Sequence, residues 1–187
     1  MTDLKADAIL DAALEMFVER GFYGTSVPSV AERAKVAAGT IYNYFDGKEA
    51  LVNALYKRCK HAIMGEVLRD FPFDASPREQ VGLVWRRMAE YAVSHQRDYT
   101  FLELHYHRSY LDAESLAIER QVIDLGISVV RRAQEQKVVK PLAPELLMML
   151  VNGAFIGVFR AALDGCVPMT METFLAAEPC AWEAIRA

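Results

Sequence analysis

Apolar residues recur at three- and four-residue intervals along nearly all of the 187-residue chain, with no sustained residue-by-residue alternation. A chain patterned this way folds as helices and offers no strand to build a sheet from. Leu10, Ala13, Leu14 and Phe17 stand at i, i+3, i+4 and i+7, which predicts an amphipathic helix over 4–19. Gly21 and Gly24 end it and bracket Phe22 and Tyr23, an aromatic turn. Thr25 and Ser26 then offer an N-cap oxygen, and Pro28 fits only the first turn of a helix, so a short second helix is expected over 27–34. Lys35-Val36 interrupts it, and a third short helix is expected over 38–45. Asp46-Gly47 is a turn signal, and a long helix opens near Lys48, with Leu51, Leu55 and Cys59 to one side.

The segment 71–77, Phe-Pro-Phe-Asp-Ala-Ser-Pro, is the next break. Ser76, Pro77 and Glu79 have the spacing of N-cap, N1 and N3 for a fifth helix reaching residue 94. Further helices are expected over 98–110, 114–137, 144–164 and 170–185, separated by Leu111-Asp112, by 141–144 and by 165–168. The expectation is an all-α chain of about nine helices, with neither internal repeat nor low-complexity tract.

Composition excludes several classes. With 53% hydrophobic and 25% charged residues the chain is globular, long enough to bury a core without staples. Three scattered cysteines make neither a disulfide framework nor a metal site, and reduced thiols in the cytoplasm are the expectation. The opening Met-Thr-Asp-Leu-Lys-Ala-Asp carries no charged-then-apolar leader. The apolar run 146–163 holds Asn152 and Arg160 in its interior, so a helix at a core or subunit interface is expected and no membrane partner. The formal charge is −4, and residues 1–60 carry eight basic and eight acidic side chains, which cancel. A nucleic-acid reading finds no basic footprint here and must rest on motif and geometry.

Two short helices joined by about three residues have helix-turn-helix dimensions, the first bracing a second whose N-terminal end enters a major groove. Val30, Ala31, Ala34, Val36 and Ile41 supply the small apolar contacts of such a crossing. The runs Gly21-Phe22-Tyr23-Gly24-Thr25-Ser26-Val27, Val30-Ala31-Glu32-Arg33-Ala34, Val36-Ala37-Ala38-Gly39-Thr40-Ile41-Tyr42-Asn43-Tyr44-Phe45 and Lys48-Glu49-Ala50-Leu51, with Phe17 before them, resemble the DNA-binding signature of the TetR family of transcriptional regulators. The resemblance covers about the first quarter of the chain. It implies a DNA-binding domain over 1–47 and a ligand-binding and dimerisation domain over 48–187. It further implies a homodimeric repressor on a palindromic double-stranded operator, released by a small-molecule effector, with no cofactor.

The DNA-contacting residues that the resemblance implies are Thr25, Ser26, Lys35, Ala38, Gly39, Thr40, Tyr42, Asn43, Tyr44 and Lys48. Their chemistry agrees. The Thr25 and Ser26 hydroxyls, with free backbone N–H groups, suit a phosphate. Gly39 removes a side chain where backbone would approach DNA. Thr40 suits a phosphate or a thymine methyl, Tyr42 and Tyr44 sugar-phosphate and thymine contacts, and Asn43 an adenine edge. Lys48 would neutralise a phosphate. Tyr44 can face DNA or the core; Phe45 is expected in the core. Two positions depart from the family's pattern. Lys35 stands at the turn where glycine is common, in a left-handed backbone costing about 1 kcal/mol for a non-glycine residue. Ala38 stands where lysine is frequent.

Farther along, Gly153, Gly157 and Ala161 strip one face of the eighth helix, which suits close helix approach. Together with Phe174 and Trp182 of the last helix they suggest a four-helix dimer interface, although packing within one chain uses such a face as well. Trp85, Met88, Tyr91, Phe101, His105, Tyr106, Val122 and Leu125 could line a partly aromatic ligand cavity, or simply form core. His105 and His107 lie two apart and point to different helix faces, poor geometry for a metal. The carboxylates and histidines form no catalytic constellation, so no enzyme is expected. The alternative to the repressor is a dimeric ligand-binding or interaction module without operator recognition.

Overall fold

The computed structural model describes residues 4–105 and 108–187. Among them are nine α-helices: α1 (Leu4–Arg20), α2 (Val27–Arg33), α3 (Ala38–Tyr42), α4 (Gly47–Leu68), α5 (Pro77–Ser94), α6 (Gln96–Leu104), α7 (Ala113–Glu135), α8 (Pro144–Leu163) and α9 (Met171–Ile185). The extended pairing among the described residues is one isolated antiparallel bridge, Val139 with Arg186. The chain divides into two compact units. One holds the described residues up to Ala62 with Gln96–Ile118; the other holds Ile63–His95 with Glu119–Ala187. The first unit thus continues past residue 47 to take in most of α4, and it adds α6.

In the first unit the expected stripe of α1 is buried, with Leu10, Ala13, Leu14 and Phe17 packed inward. Phe17 meets Phe22 of the aromatic turn and Phe101 of α6, at 6.2 and 6.1 Å between ring centres. Val30 of α2, Ile41 of α3 and Leu51 and Leu55 of α4 close the core, all fully buried. Two helices stop short of their apolar patterns. The third ends at Tyr42, where the N–H groups of Tyr44 and Phe45 both return to the Ile41 carbonyl. Gly47 then holds a positive φ of 89° that a side chain would resist. α6 ends at Leu104, before the expected 110, and a buried side chain of α4 fixes the chain beyond it. Asn53 Nδ2 donates to the Tyr110 carbonyl at 2.8 Å, and Asn53 Oδ1 accepts the Asp112 N–H at 2.8 Å. Asp112 Oδ1 in turn accepts the Ser115 N–H at 2.7 Å in the first turn of α7.

The second unit begins on the expected cap. Ser76 Oγ accepts the Glu79 N–H, Glu79 Oε2 accepts the Ser76 N–H at 2.9 Å, and Pro77 occupies the first turn. The two hydrogen bonds from Ser76 hold the Glu79 carboxyl below its usual range. The core is aromatic. Trp85 lies edge-on to Phe155 at 5.0 Å, Phe155 stacks on Phe174 at 5.0 Å, and Trp85 Nε1 donates to the Phe174 carbonyl at 2.7 Å. Arg78 grips Glu178 through two bonds of 2.6 and 2.7 Å and lies over the Trp182 ring, which fastens α5 to α9. Trp182 also joins Leu147, Val130 and Ile185 in a second cluster.

α8 is two-faced. Leu147, Phe155, Phe159 and Ala162 point into the unit, whereas Leu146, Met149, Leu150, Gly153 and Gly157 are exposed along the other side, Met149 at 63%. The helix is long and apolar enough, by length and composition, to cross a membrane. Of its apolar stretch, 22% is buried inside the structure.

Candidate nucleic-acid interface

α2 and α3 form the helix-turn-helix. Ser26 caps α2: its Oγ accepts the Ser29 N–H at 3.3 Å and Ser29 Oγ accepts the Ser26 N–H at 3.1 Å. Pro28 sits in the first turn, where no N–H is missed. Lys35 carries the turn with φ 55°, the left-handed conformation expected at that position. The Val36 N–H reaches back to the Ala31 carbonyl at 3.0 Å, closing the end of α2 as a glycine ordinarily would. α3 then presents Ala38, Gly39 and Tyr42 to solvent, followed by Asn43 and Tyr44, while Ile41 anchors the helix from below. Tyr42 is 56% exposed and Tyr44 38%, which resolves the open placement of Tyr44 toward solvent; Phe45 is half-buried. Thr40 is half-buried as well.

Gly39 is informative. A Cβ built there meets nothing within 4 Å, and its φ lies outside the region that demands glycine. The described residues therefore leave room for a side chain at 39, and the packing of α3 does not itself require glycine there.

One expected phosphate contact is corrected. Thr25 is only 2% exposed, and its hydroxyl donates to the Met16 carbonyl at 3.1 Å and the Gly21 carbonyl at 2.8 Å. It ties the end of α1 to the start of α2 and does not face solvent. Replacing it by the isosteric valine leaves two carbonyls short of a donor. Thr25→Val is therefore expected to lower unfolding free energy in urea by about 1–3 kcal/mol. A change near zero would show that the hydroxyl holds nothing.

Lys48 is also engaged. Its Nζ donates to the Phe22 carbonyl at 2.8 Å and stands 4.0 Å over the Phe22 ring, which stacks on Tyr110 at 4.0 Å. The ammonium braces the aromatic turn first, and only its remaining N–H groups are left for a phosphate. Arg33, which shares this part of the chain, is turned toward α1. Its guanidinium binds Glu15 at 2.8 Å and Glu19 at 3.1 Å, and that hydrogen bond holds Glu19 low while Arg33 is raised. Part of the charge of this segment is thus taken up in pairing between α1 and α2.

The described residues expected in a ligand cavity are divided between the two units. Trp85 and Phe101 are buried core, each committed to the aromatic contacts above, and Tyr91 is buried with its ring stacked on His95 at 4.6 Å. Met88, Val122 and Leu125 are half-buried in the second unit, and His105 is half-buried in the first. Tyr106 and His107 lie outside the described residues. A cavity of about 440 Å³ does open in the first unit, between Asp46, Glu49 and Asn53 at the start of α4 and residues 109–112. Neither it nor the Asn53 clamp was anticipated. The available signal was an asparagine inside a helix, set in sequence between Leu51-Val52 and Leu55-Tyr56.

The expected dimer residues also divide. Phe174 and Trp182 are buried within their own unit and correct the expectation, because α9 directs its aromatic side toward α5 and α8. Gly153 and Gly157 are exposed with nothing within 4 Å of an added Cβ, and Ala161 is half-buried.

Comparison with known proteins agrees with this arrangement. Residues 9–55 match the family described as bacterial regulatory proteins, tetR family, and residues 56–187 match the tetracyclin repressor-like C-terminal domain. A fatty acid metabolism regulator protein of Bacillus subtilis is 36% identical over 76 residues, 41% of this chain and 39% of its own length. The HTH-type transcriptional regulator HbdR of Aromatoleum is 32% identical over 116 residues, 62% of this chain and 47% of its own. The matched region therefore spans less than half of either relative. A tetR family transcription regulator structure from Shewanella superposes with a TM-score of 0.83 at 21% identity, over 99% of this chain and 100% of that one, which is a likeness of fold.

Proposed function

Because the chain belongs to the tetR family of bacterial regulatory proteins, we propose that it is a homodimeric cytoplasmic repressor, released from a palindromic operator by a small-molecule effector. The observation that carries the reading is the exposed surface Ala38-Gly39-Tyr42-Asn43-Tyr44, with a glycine at 39 that no described neighbour requires. Ser26 and Lys35 flank this surface at the two ends of α2 and suit phosphate contacts. The Lys48 ammonium can add one with the N–H groups left over from Phe22.

Dimerisation brings two copies of α3 to successive major grooves, roughly 34 Å apart on one side of a duplex. The open side of α8, apolar and stripped at Gly153 and Gly157, supports a self-complementary contact. Met88, Val122 and Leu125 remain proposed effector contacts. An effector acts by favouring the arrangement in which the two recognition helices no longer match that spacing.

The test is retention of labelled genomic fragments, including the region upstream of the protein's own gene. Specific retention at two chains per fragment, resistant to unrelated duplex, is expected. Equal competition by unrelated duplex would leave a helical dimer without operator recognition.

A further inference from the structure

Between residues 25 and 48 the chain has three cationic side chains, Arg33, Lys35 and Lys48. Arg33 is held at Glu15 and Glu19, and Lys48 at the Phe22 carbonyl and ring. Lys35 lies in the turn ahead of α3 with φ 55°, off the recognition helix itself. The solvent-facing residues of α3 and the two that follow, Ala38, Gly39, Tyr42, Asn43 and Tyr44, include no cation.

That composition sorts the four base pairs. Guanine is read in the major groove chiefly by a cationic fork on O6 and N7, and cytosine by a carboxylate on its amino group. The exposed surface has neither. Its equipment is a carboxamide that pairs with adenine N6 and N7, a methyl group and aromatic rings that pack on the thymine C5 methyl, and a bare backbone at Gly39 that lets them come close.

We infer that α3 reads A·T pairs: the base pairs contacted in each half-site are A·T, recognised through thymine methyl groups at Ala38 and Tyr42 and through an adenine edge at Asn43. The inference rests on the operator reading above and specifies what that same surface recognises.

The experiment selects bound duplexes from a random pool with the full-length protein, then titrates the selected half-site by fluorescence anisotropy. In parallel titrations, uracil replaces thymine to remove the C5 methyl, and 7-deazaadenine replaces adenine to remove N7. Selected half-sites with A·T at the contacted positions are expected, and each replacement should weaken binding roughly fivefold or more. In Asn43→Ala the 7-deazaadenine effect should vanish while the uracil effect persists. Guanine at the contacted positions, or indifference to both replacements on an enriched site, would overturn the inference and leave operator binding intact. Enrichment of no sequence at all would overturn both together.

Discussion

Tyr42→Ala lowers operator affinity by about a hundredfold or more and leaves the unfolding transition where it was. The ring is the largest exposed group on the recognition helix, and it closes α3 at its C-terminal end. Truncating an exposed side chain changes fold stability by roughly 0.5 kcal/mol at most. A tyrosine at the centre of an interface is worth about 2 kcal/mol, and a dimer loses two of them. Anisotropy titration of the variant beside its thermal melt separates the two effects. Normal affinity with an unchanged melt would remove α3 from DNA recognition. Thr25→Val should show the opposite pattern, because its hydroxyl serves the fold.

Gly157→Glu should convert the dimer to monomer at micromolar concentration while the subunit stays folded. An added Cβ meets nothing within 4 Å, so the subunit has room for the side chain. Replacing glycine inside a helix even gains up to about 1 kcal/mol of helical propensity. Across a two-fold contact, however, the same carboxylate appears twice and is driven into an apolar surface formed by Leu146, Met149 and Leu150. Sedimentation reads the association state directly. Operator affinity should fall with it, since each half-site is then bound alone. A variant that stays dimeric would place the subunit contact elsewhere.

The features legible in the sequence were those that short-range rules decide. The Ser76-Pro77-Glu79 cap formed as its spacing required, and the left-handed turn at Lys35 followed from the glycine ordinarily found there. The helix end at Leu104 was misjudged because long-range bonds hold the chain beyond it, and that at Tyr42 because a local turn on the Ile41 carbonyl and the positive φ of Gly47 close α3 early. The apolar pattern continues past both, yet the Asn53 clamp on Tyr110 and Asp112 fixes the chain beyond α6. Thr25 was misplaced, and the engagement of Lys48 with Phe22 went unforeseen, for a related reason. A hydroxyl or ammonium near a loop reads as available for phosphate until the folded backbone supplies carbonyls within reach. Phe174 and Trp182 show the remaining limit: periodicity marks them as apolar but does not say which neighbour covers them.

The two tryptophans of the chain, Trp85 and Trp182, are both buried in the second unit, and the first unit has tyrosines and phenylalanines but no tryptophan. The protein therefore carries a built-in optical label on one half. Indole emission reports burial and melting of the second unit without contribution from the first. A single tryptophan introduced into the DNA-reading unit, in a background with both native indoles replaced, would give that half its own signal. Whether the two halves unfold together or in sequence could then be read from fluorescence alone.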